Sequence, residues 1–301
     1  MKKRACSLIL SFTLLCMLFS TAGAEEPSGI VSYLGPEGTY TQEAAQFFFT
    51  GEETLIPRET VILAIGDVES GESDYAVIPQ ENTVGGPVVN YLDALISAEG
   101  VCVVGEVVIP ISQTLMGVPG ATLSDIRTVC SHAQGLAQSA QWRADHLPDA
   151  AATEMPSTAA AASYVAQQQD KSVAAVAAPG AAALYGLEVL AENVQITDAN
   201  KTRFYVLSRV PLTEEGLTRA VFVVTCSGDR IDDIIVAVHN TGLELVALHD
   251  RPEGSALGEY HFVIECENPD GVTDEQIAAV SSLEGVRFLG GFHTAEKNAA
   301  N

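Results

Sequence analysis

Four segments of the 301-residue chain bring hydroxyl and amide side chains to places where apolar runs give way to turns. They are Gly35-Pro36-Glu37-Gly38-Thr39-Tyr40-Thr41; Ile78-Pro79-Gln80-Glu81-Asn82-Thr83-Val84-Gly85-Gly86; Ser131-His132-Ala133-Gln134 with Gln138 one turn later; and Asn200-Lys201-Thr202-Arg203-Phe204. In open α/β sheets, ligands gather where strands end and helices begin. Taken singly, each segment also has a plain structural meaning. A Gly-Pro pair makes a turn. Thr41, Ser131 and Ser157 suit helix caps. His132 suits a solvated first turn, Glu81 a loop anion, and Arg203 an ion pair. No Walker loop or dinucleotide fingerprint occurs, nor a Gly-x-Ser-x-Gly elbow. The six His lack zinc-type spacing. Neither a metal nor a cofactor is expected.

The elements that must position these residues alternate between strand and helix from 29 to 209. Ile30 to Leu34 reads as a strand, with a helix opening at Thr41. Tyr75 to Ile78 is a buried-strand run, followed by a helix over 88–97. Val101 to Val108, Gln113 to Val118, Thr128 to Cys130 and Ser172 to Ala177 read as further strands. The segments 134–145 and 157–169 read as helices. This alternation predicts an α/β domain over 28–210 with a mostly parallel sheet on each side of a cleft, the second lobe spanning about 110–190. A boundary falls near Pro211 to Gly216. Beyond it the order is β-α-β-β-α-β over 217–294, the ferredoxin-like order, with a small polar tail at 295–301. Cys226 and Cys266 close neighbouring antiparallel strands, which puts them at opposite ends and argues against a disulfide.

Asp and Glu number 39 and Lys and Arg 15, a net charge of −24. A chain this acidic is poorly suited to nucleic acid or anionic membrane. With one Trp and no block of aromatics alternating with basic residues, a single-strand stacking platform is not expected. The N-terminus has a basic start (Lys2, Lys3, Arg4), an apolar run over 5–19 and an A-x-A site at Ala22 to Ala24. That pattern reads as a secretory signal peptide over 1–24, hence an exported, periplasmic or extracellular protein that is free of the membrane after cleavage behind Ala24, with Glu25 as the first mature residue.

In order and spacing the four segments resemble the prephenate dehydratase family followed by its regulatory ACT domain. The matching stretches are YLGPEGTYTQEAA at 33–45, VIPQENTVGG at 77–86, SHAQGLAQ at 131–138 and LYGLEVLAENVQITDANKTRFYVLSR at 184–209. The resemblance implies a two-lobed, periplasmic-binding-protein-like catalytic domain with a cleft, plus the ferredoxin-like ACT domain. It implies a lyase that converts prephenate to phenylpyruvate with loss of water and carbon dioxide. By resemblance Thr202, Ser131 and Gln138 are catalytic, with Thr202 at the leaving hydroxyl. Thr39, Glu81, Asn82, Thr83, His132, Thr158, Arg203 and Phe204 bind substrate, with Arg203 ordering the site or meeting an anion. The segment 28–210 holds only seven cations. Helix N-termini at 39–43, 131–135 and 156–159, together with Arg203, are therefore expected to bind the dianion.

The family's Gly-Ala-Leu-Val effector turn is Gly228-Asp229-Arg230-Ile231 here, and its Glu-Ser-Arg-Pro loop is His249-Asp250-Arg251-Pro252. Charged residues replace the apolar lining for a benzyl group, which predicts weak or no inhibition by phenylalanine. The resemblance also implies a homodimer or homotetramer. Two other readings stay open: an arogenate dehydratase, and an exported solute-binding or sensor protein without catalysis.

Overall fold

The computed structural model describes residues 29–49, 51–212 and 216–293. The signal peptide expected over 1–24, the tail expected over 295–301 and part of the boundary segment lie outside the described residues. Strand and helix alternate from the start: β1 (Ile30–Leu34), α1 (Tyr40–Phe48), β2 (Thr54–Arg58), α2 (Val61–Ser70), β3 (Tyr75–Asn82), β4 (Gly86–Pro87), α3 (Val89–Ser97) and β5 (Cys102–Pro110). The chain then crosses to a second lobe of β6 (Thr114–Gly117), β7 (Thr128–Ser131), α4 (Ala133–Gln138), α5 (Ala140–His146), β8 (Ala151–Glu154), α6 (Thr158–Gln168), β9 (Val173–Ala177), α7 (Gly180–Tyr185) and β10 (Glu188–Ala191). It returns as β11 (Lys201–Ser208) to the first lobe.

The first-lobe sheet has the order β5-β11-β3-β1-β2, and the second β10-β6-β9-β7-β8. Both are mixed, which corrects the expectation of mostly parallel sheets. Strands β1, β2 and β3 are parallel, but β11 runs antiparallel to β3 and β5. In the second lobe β7 is parallel to β8 and β9, while β6 is antiparallel to β9 and β10. The cause is the double crossing between lobes, since β11 re-enters its sheet in the direction opposite to β3.

Alternation along β11 builds two cores. Phe204 and Val206 pack with Val31, Tyr33, Ala44 and Ala45 on the α1 side. Tyr205 and Leu207 pack on the other side with Ile65, Val68 and Leu95 of α2 and α3. The sequence reading missed β2 and α2. In β2, Pro57 interrupts the run, which is tolerable because β2 is the edge strand. In α2, the run VILAI hides the spacing of Val61, Ala64, Ile65 and Val68 that faces the core. Burying each of the larger three contributes roughly 1.5–3 kcal/mol. The single helix expected over 134–145 is two helices. Ser139 Oγ donates to the Gly135 carbonyl at 2.8 Å and separates α4 from α5.

Beyond residue 216 come β12 (Arg219–Ser227), α8 (Ile231–Asn240), β13 (Glu244–Pro252), β14 (Glu259–Glu267), α9 (Asp274–Ser281) and β15 (Val286–Phe292). Their sheet order is β13-β14-β12-β15. Cys226 pairs in register with Tyr260 and Cys266 with Ala220, at opposite ends, and both thiols are free. This unit is not a separate bead. Strand β15 meets β5 at Gly290 and Val103, fusing the two sheets into one of ten strands. Gly290 has φ +139°, and a Cβ there would strike the Val103 carbonyl.

Candidate active site

A cavity of about 240 Å³ opens between the lobes. Its wall includes Thr39, Thr41, Asn82, Gln113, His132, Gln134, Gln138, Ser157, Thr158 and Thr202. None of its lining residues is Asp, Glu, Lys or Arg. Among the described residues no group of three His, Cys, Asp or Glu is close enough to hold a metal ion. The wall therefore works through hydroxyls, amides, one imidazole and backbone N–H groups.

Thr202 is 8% exposed and lines the cavity from β11. Its Oγ1 accepts from Asn82 Nδ2 at 2.9 Å. That contact uses a lone pair and leaves the Thr202 O–H to donate. Asn82 is the hub that fixes this. Its Nδ2 also faces Asn200 Oδ1 at 2.8 Å and the Lys201 carbonyl at 3.1 Å. Its Oδ1 accepts from the N–H groups of Val84 and Gly85 at 3.0 and 2.8 Å, and from Gln134 Nε2 at 3.0 Å. The last bond joins the lobes. It passes so close to Gly85 that a Cβ there would strike the Gln134 amide. Gln134 lies inside the third segment of the sequence but was not singled out as a site residue.

Two helices, one from each lobe, start at this cavity. Thr39 caps α1, its Oγ1 accepting from the Gln42 N–H at 3.4 Å. Ser157 caps α6, its Oγ accepting from the Ala160 N–H at 2.9 Å. The earlier N–H groups of each first turn have no partner within their helix. Each helix end carries about half a positive charge. His132 caps the short α4, its Nδ1 accepting from the Gln134 N–H at 3.3 Å. Gln138 ends α4, and its Oε1 accepts from Gln113 Nε2 at 2.9 Å. Nothing in the sequence marks Gln113, a lone amide in a strand-like run.

The structure brings together Thr39, Asn82, His132, Gln138, Thr158 and Thr202, and places the other candidates elsewhere. Ser131 is fully buried under α4, and its Oγ donates to the Val176 carbonyl at 2.6 Å. Thr83 ties the strand end on the surface, donating to the Ala199 carbonyl and accepting from the Lys201 N–H, both at 2.9 Å. Phe204 is core. Arg203 corrects the expectation that it meets the substrate. Next to Thr202 on a strand, it points to the opposite face, toward the C-terminal unit. There Nε and Nη2 donate to Glu106, Nη2 donates to Glu265 at 2.7 Å, and Nη1 faces Glu81 at 3.5 Å. Glu81 thus belongs to this cluster and not to the cavity.

Glu265, on β14, is 1% exposed. It also accepts from Arg219 Nη1 at 2.8 Å and from the Tyr205 hydroxyl at 2.6 Å. Burial alone would lower the Arg203 pKa, but Glu265 and Glu106 outweigh it and hold the guanidinium charged. Burial raises the Glu106 carboxyl above its ordinary range, against the pull of Arg203.

The candidate effector residues share one end of the C-terminal sheet. Gly228, Asp229 and Arg230 are exposed. Asp229 accepts from Ser227 Oγ at 2.6 Å, and Arg230 faces Glu284 at 3.3 Å. The second segment turns toward α3: His249 Nδ1 lies 3.3 Å from the Tyr91 hydroxyl, and Arg251 holds Asp93 with bonds of 2.6 and 3.0 Å. Asp250 and Pro252 continue the same strand.

Comparison with known proteins adds the family. Residues 31–211 match the sequence profile of the family described as prephenate dehydratase. A prephenate dehydratase of Amycolatopsis methanolica is 35% identical over 278 residues, covering 90% of each chain. The solved prephenate dehydratase of Arthrobacter aurescens, in complex with L-Phe, is 32% identical with a TM-score of 0.81, covering 90% of this chain and 92% of that one. A solved quorum-quenching acylase is 27% identical with a TM-score of 0.76, covering 89% of this chain and 98% of that one. The profile spans more than half of the chain, and the identity extends through both lobes into the C-terminal unit: this chain belongs to the prephenate dehydratase family.

Proposed function

We propose that the protein is a prephenate dehydratase. The observation that carries this reading is the Thr202 hydroxyl, oriented by Asn82, facing a cavity without formal charges that receives the N-termini of α1 and α6. The substrate is a dianion, and the reaction consumes one proton, releasing carbon dioxide, water and phenylpyruvate. The ring carboxylate departs as carbon dioxide and its electron pair enters the ring. The ring hydroxyl departs, and its oxygen must be hydrogen-bonded and protonated as the C–O bond breaks. Thr202 Oγ–H supplies that bond. Helix ends supply positive potential without a cation, in a site where fixed dipoles act in place of water. Aromatisation drives both cleavages.

Amide hydrolysis, the activity of the solved acylase, fits less well. Ser131 is buried with its proton committed to Val176. Thr202 is bonded to an amide and not to a base. The deciding assay is purified protein with prephenate, followed by phenylpyruvate absorbance, with arogenate in parallel. Calorimetric binding of prephenate without turnover would favour the solute-binding reading.

We further infer that the β-α-β-β-α-β unit is an ACT domain that joins two or more copies, with weak or no response to phenylalanine. Exposure of Asp229 and Arg230 supports a turn without an apolar lining. Turnover with up to millimolar phenylalanine, together with light scattering, tests both points. The basic and apolar N-terminal pattern supports export with a mature start at Glu25, which mass spectrometry of the secreted fraction tests.

A further inference from the structure

Gln113 lies on the crossing from β5 to β6, where the chain leaves the first lobe. Its backbone is held on both sides: the N–H donates to Gln195 Oε1 at 2.9 Å, and the carbonyl accepts from the Val194 N–H at 2.9 Å. The residue is 2% exposed and lines the cavity. Its Nε2 is committed to Gln138 Oε1. Its Oε1 is buried and has no hydrogen-bond partner among the described residues. Buried acceptors nearly always find a donor; this one belongs to a residue of the cavity wall, and a donor arriving with the ligand would complete it.

Resting on the dehydratase reading, we propose that Gln113 is a further substrate-contacting residue, its carboxamide oxygen accepting the O–H of the ring hydroxyl. The chemistry of the substrate makes the match specific. Ionised prephenate has two carboxylates and a keto oxygen, which only accept, and one hydroxyl, its sole donor. Gln113 takes the hydrogen of that hydroxyl and Thr202 donates to its oxygen. The leaving group is thereby held from two sides with a lone pair toward Thr202. On C–O cleavage the oxygen keeps its own hydrogen, gains a second through Thr202 Oγ, and leaves as water. Solvent restores the Thr202 proton. Rigid attachment of Gln113 at its backbone and at Gln138 keeps this geometry preorganised.

The test compares wild type with Gln113→Met and Gln113→Glu. Binding is measured by calorimetry for two substrate-shaped dicarboxylates, one with the ring hydroxyl and one with hydrogen in its place. Gln113→Met keeps length and volume and removes the amide acceptor. In it the preference for the hydroxyl compound should fall by roughly ten-fold, with the contact to Thr202 supplying the remainder. A preference equal to that of wild type would overturn the assignment. If Gln113→Met does not fold, Gln113→Glu decides. A carboxylate facing a dianion in a wall without cations should raise KM for prephenate by about ten-fold or more at neutral pH, and an unchanged KM would overturn the assignment. A wild-type protein that does not turn over prephenate would instead refute the dehydratase reading, and this inference with it.

Discussion

Replacing Glu265 should loosen the joint between the catalytic lobe and the C-terminal unit. The carboxylate is 1% exposed and accepts from three donors on two strands, β11 and β12: Arg203 Nη2 at 2.9 and 2.7 Å, Arg219 Nη1 at 2.8 Å and the Tyr205 hydroxyl at 2.6 Å. Removing one partner from a buried ionic cluster costs about 3–5 kcal/mol when the opposite charge is stranded. Here Arg203 keeps Glu106 and Arg219 keeps Glu267, so neither cation is stranded. The Tyr205 proton loses its acceptor inside the core. The lower end, about 3 kcal/mol, is therefore expected for Glu265→Leu, a drop in Tm of about 6–12 °C for a chain of this size. Urea titrations and thermal melts of wild type, Glu265→Leu, Arg203→Met and the double variant measure it. Because the two groups share bonds, the losses should not add, and the cycle should return a coupling of about 1–3 kcal/mol. A Tm within 2 °C of wild type for Glu265→Leu, or strictly additive losses, would refute the reasoning. The cluster would then be a surface-like ornament of two domains that already adhere through apolar contacts.

Three further outcomes are expected. Thr202→Ala should lower kcat by roughly 10²–10⁴ with Tm near wild type, and Thr202→Ser should recover most of it, as rates and melts on one preparation show. Glu106 carries a carboxyl pKa raised chiefly by burial, so the folded state binds more protons than the unfolded one between the ordinary value near 4.3 and the raised one. Its contribution to stability is present below the ordinary value and is lost as pH rises through the raised one; urea titrations from pH 4 upward should show wild type losing stability relative to Glu106→Gln. The Cys266 thiol, pushed up to about 12 by burial and by Glu265, should resist a disulfide reagent at pH 8 in the native protein and react at once in urea.

Much of this architecture was legible in the residues because its causes are local. Alternating strands and helices, the caps at Thr39 and Ser157, and the β-α-β-β-α-β order each follow from neighbours in sequence. The motifs that carry the family are legible as well, and the segments they mark supply Asn82, Gln134 and Thr202, with Asn82 bonded to the other two. The period of two in β11 even requires Thr202 and Arg203 to face apart. What it does not contain is which face becomes the cleft and which the joint with the C-terminal unit. That is decided by how the sheets dock: β15 beside β5 puts Glu265 over Arg203 and converts an expected anion receptor into a structural ion cluster. In the same way, Ser131 lost its place in the cavity to the turn of α4 above it, and Gln113 gained one because the crossing between lobes happens to pass the end of α4. Residue type and spacing are properties of the chain and are written in it. The direction in which a side chain finds its partner depends on contacts between residues 25 to 120 positions apart, and those exist only once the two lobes and the C-terminal sheet have packed.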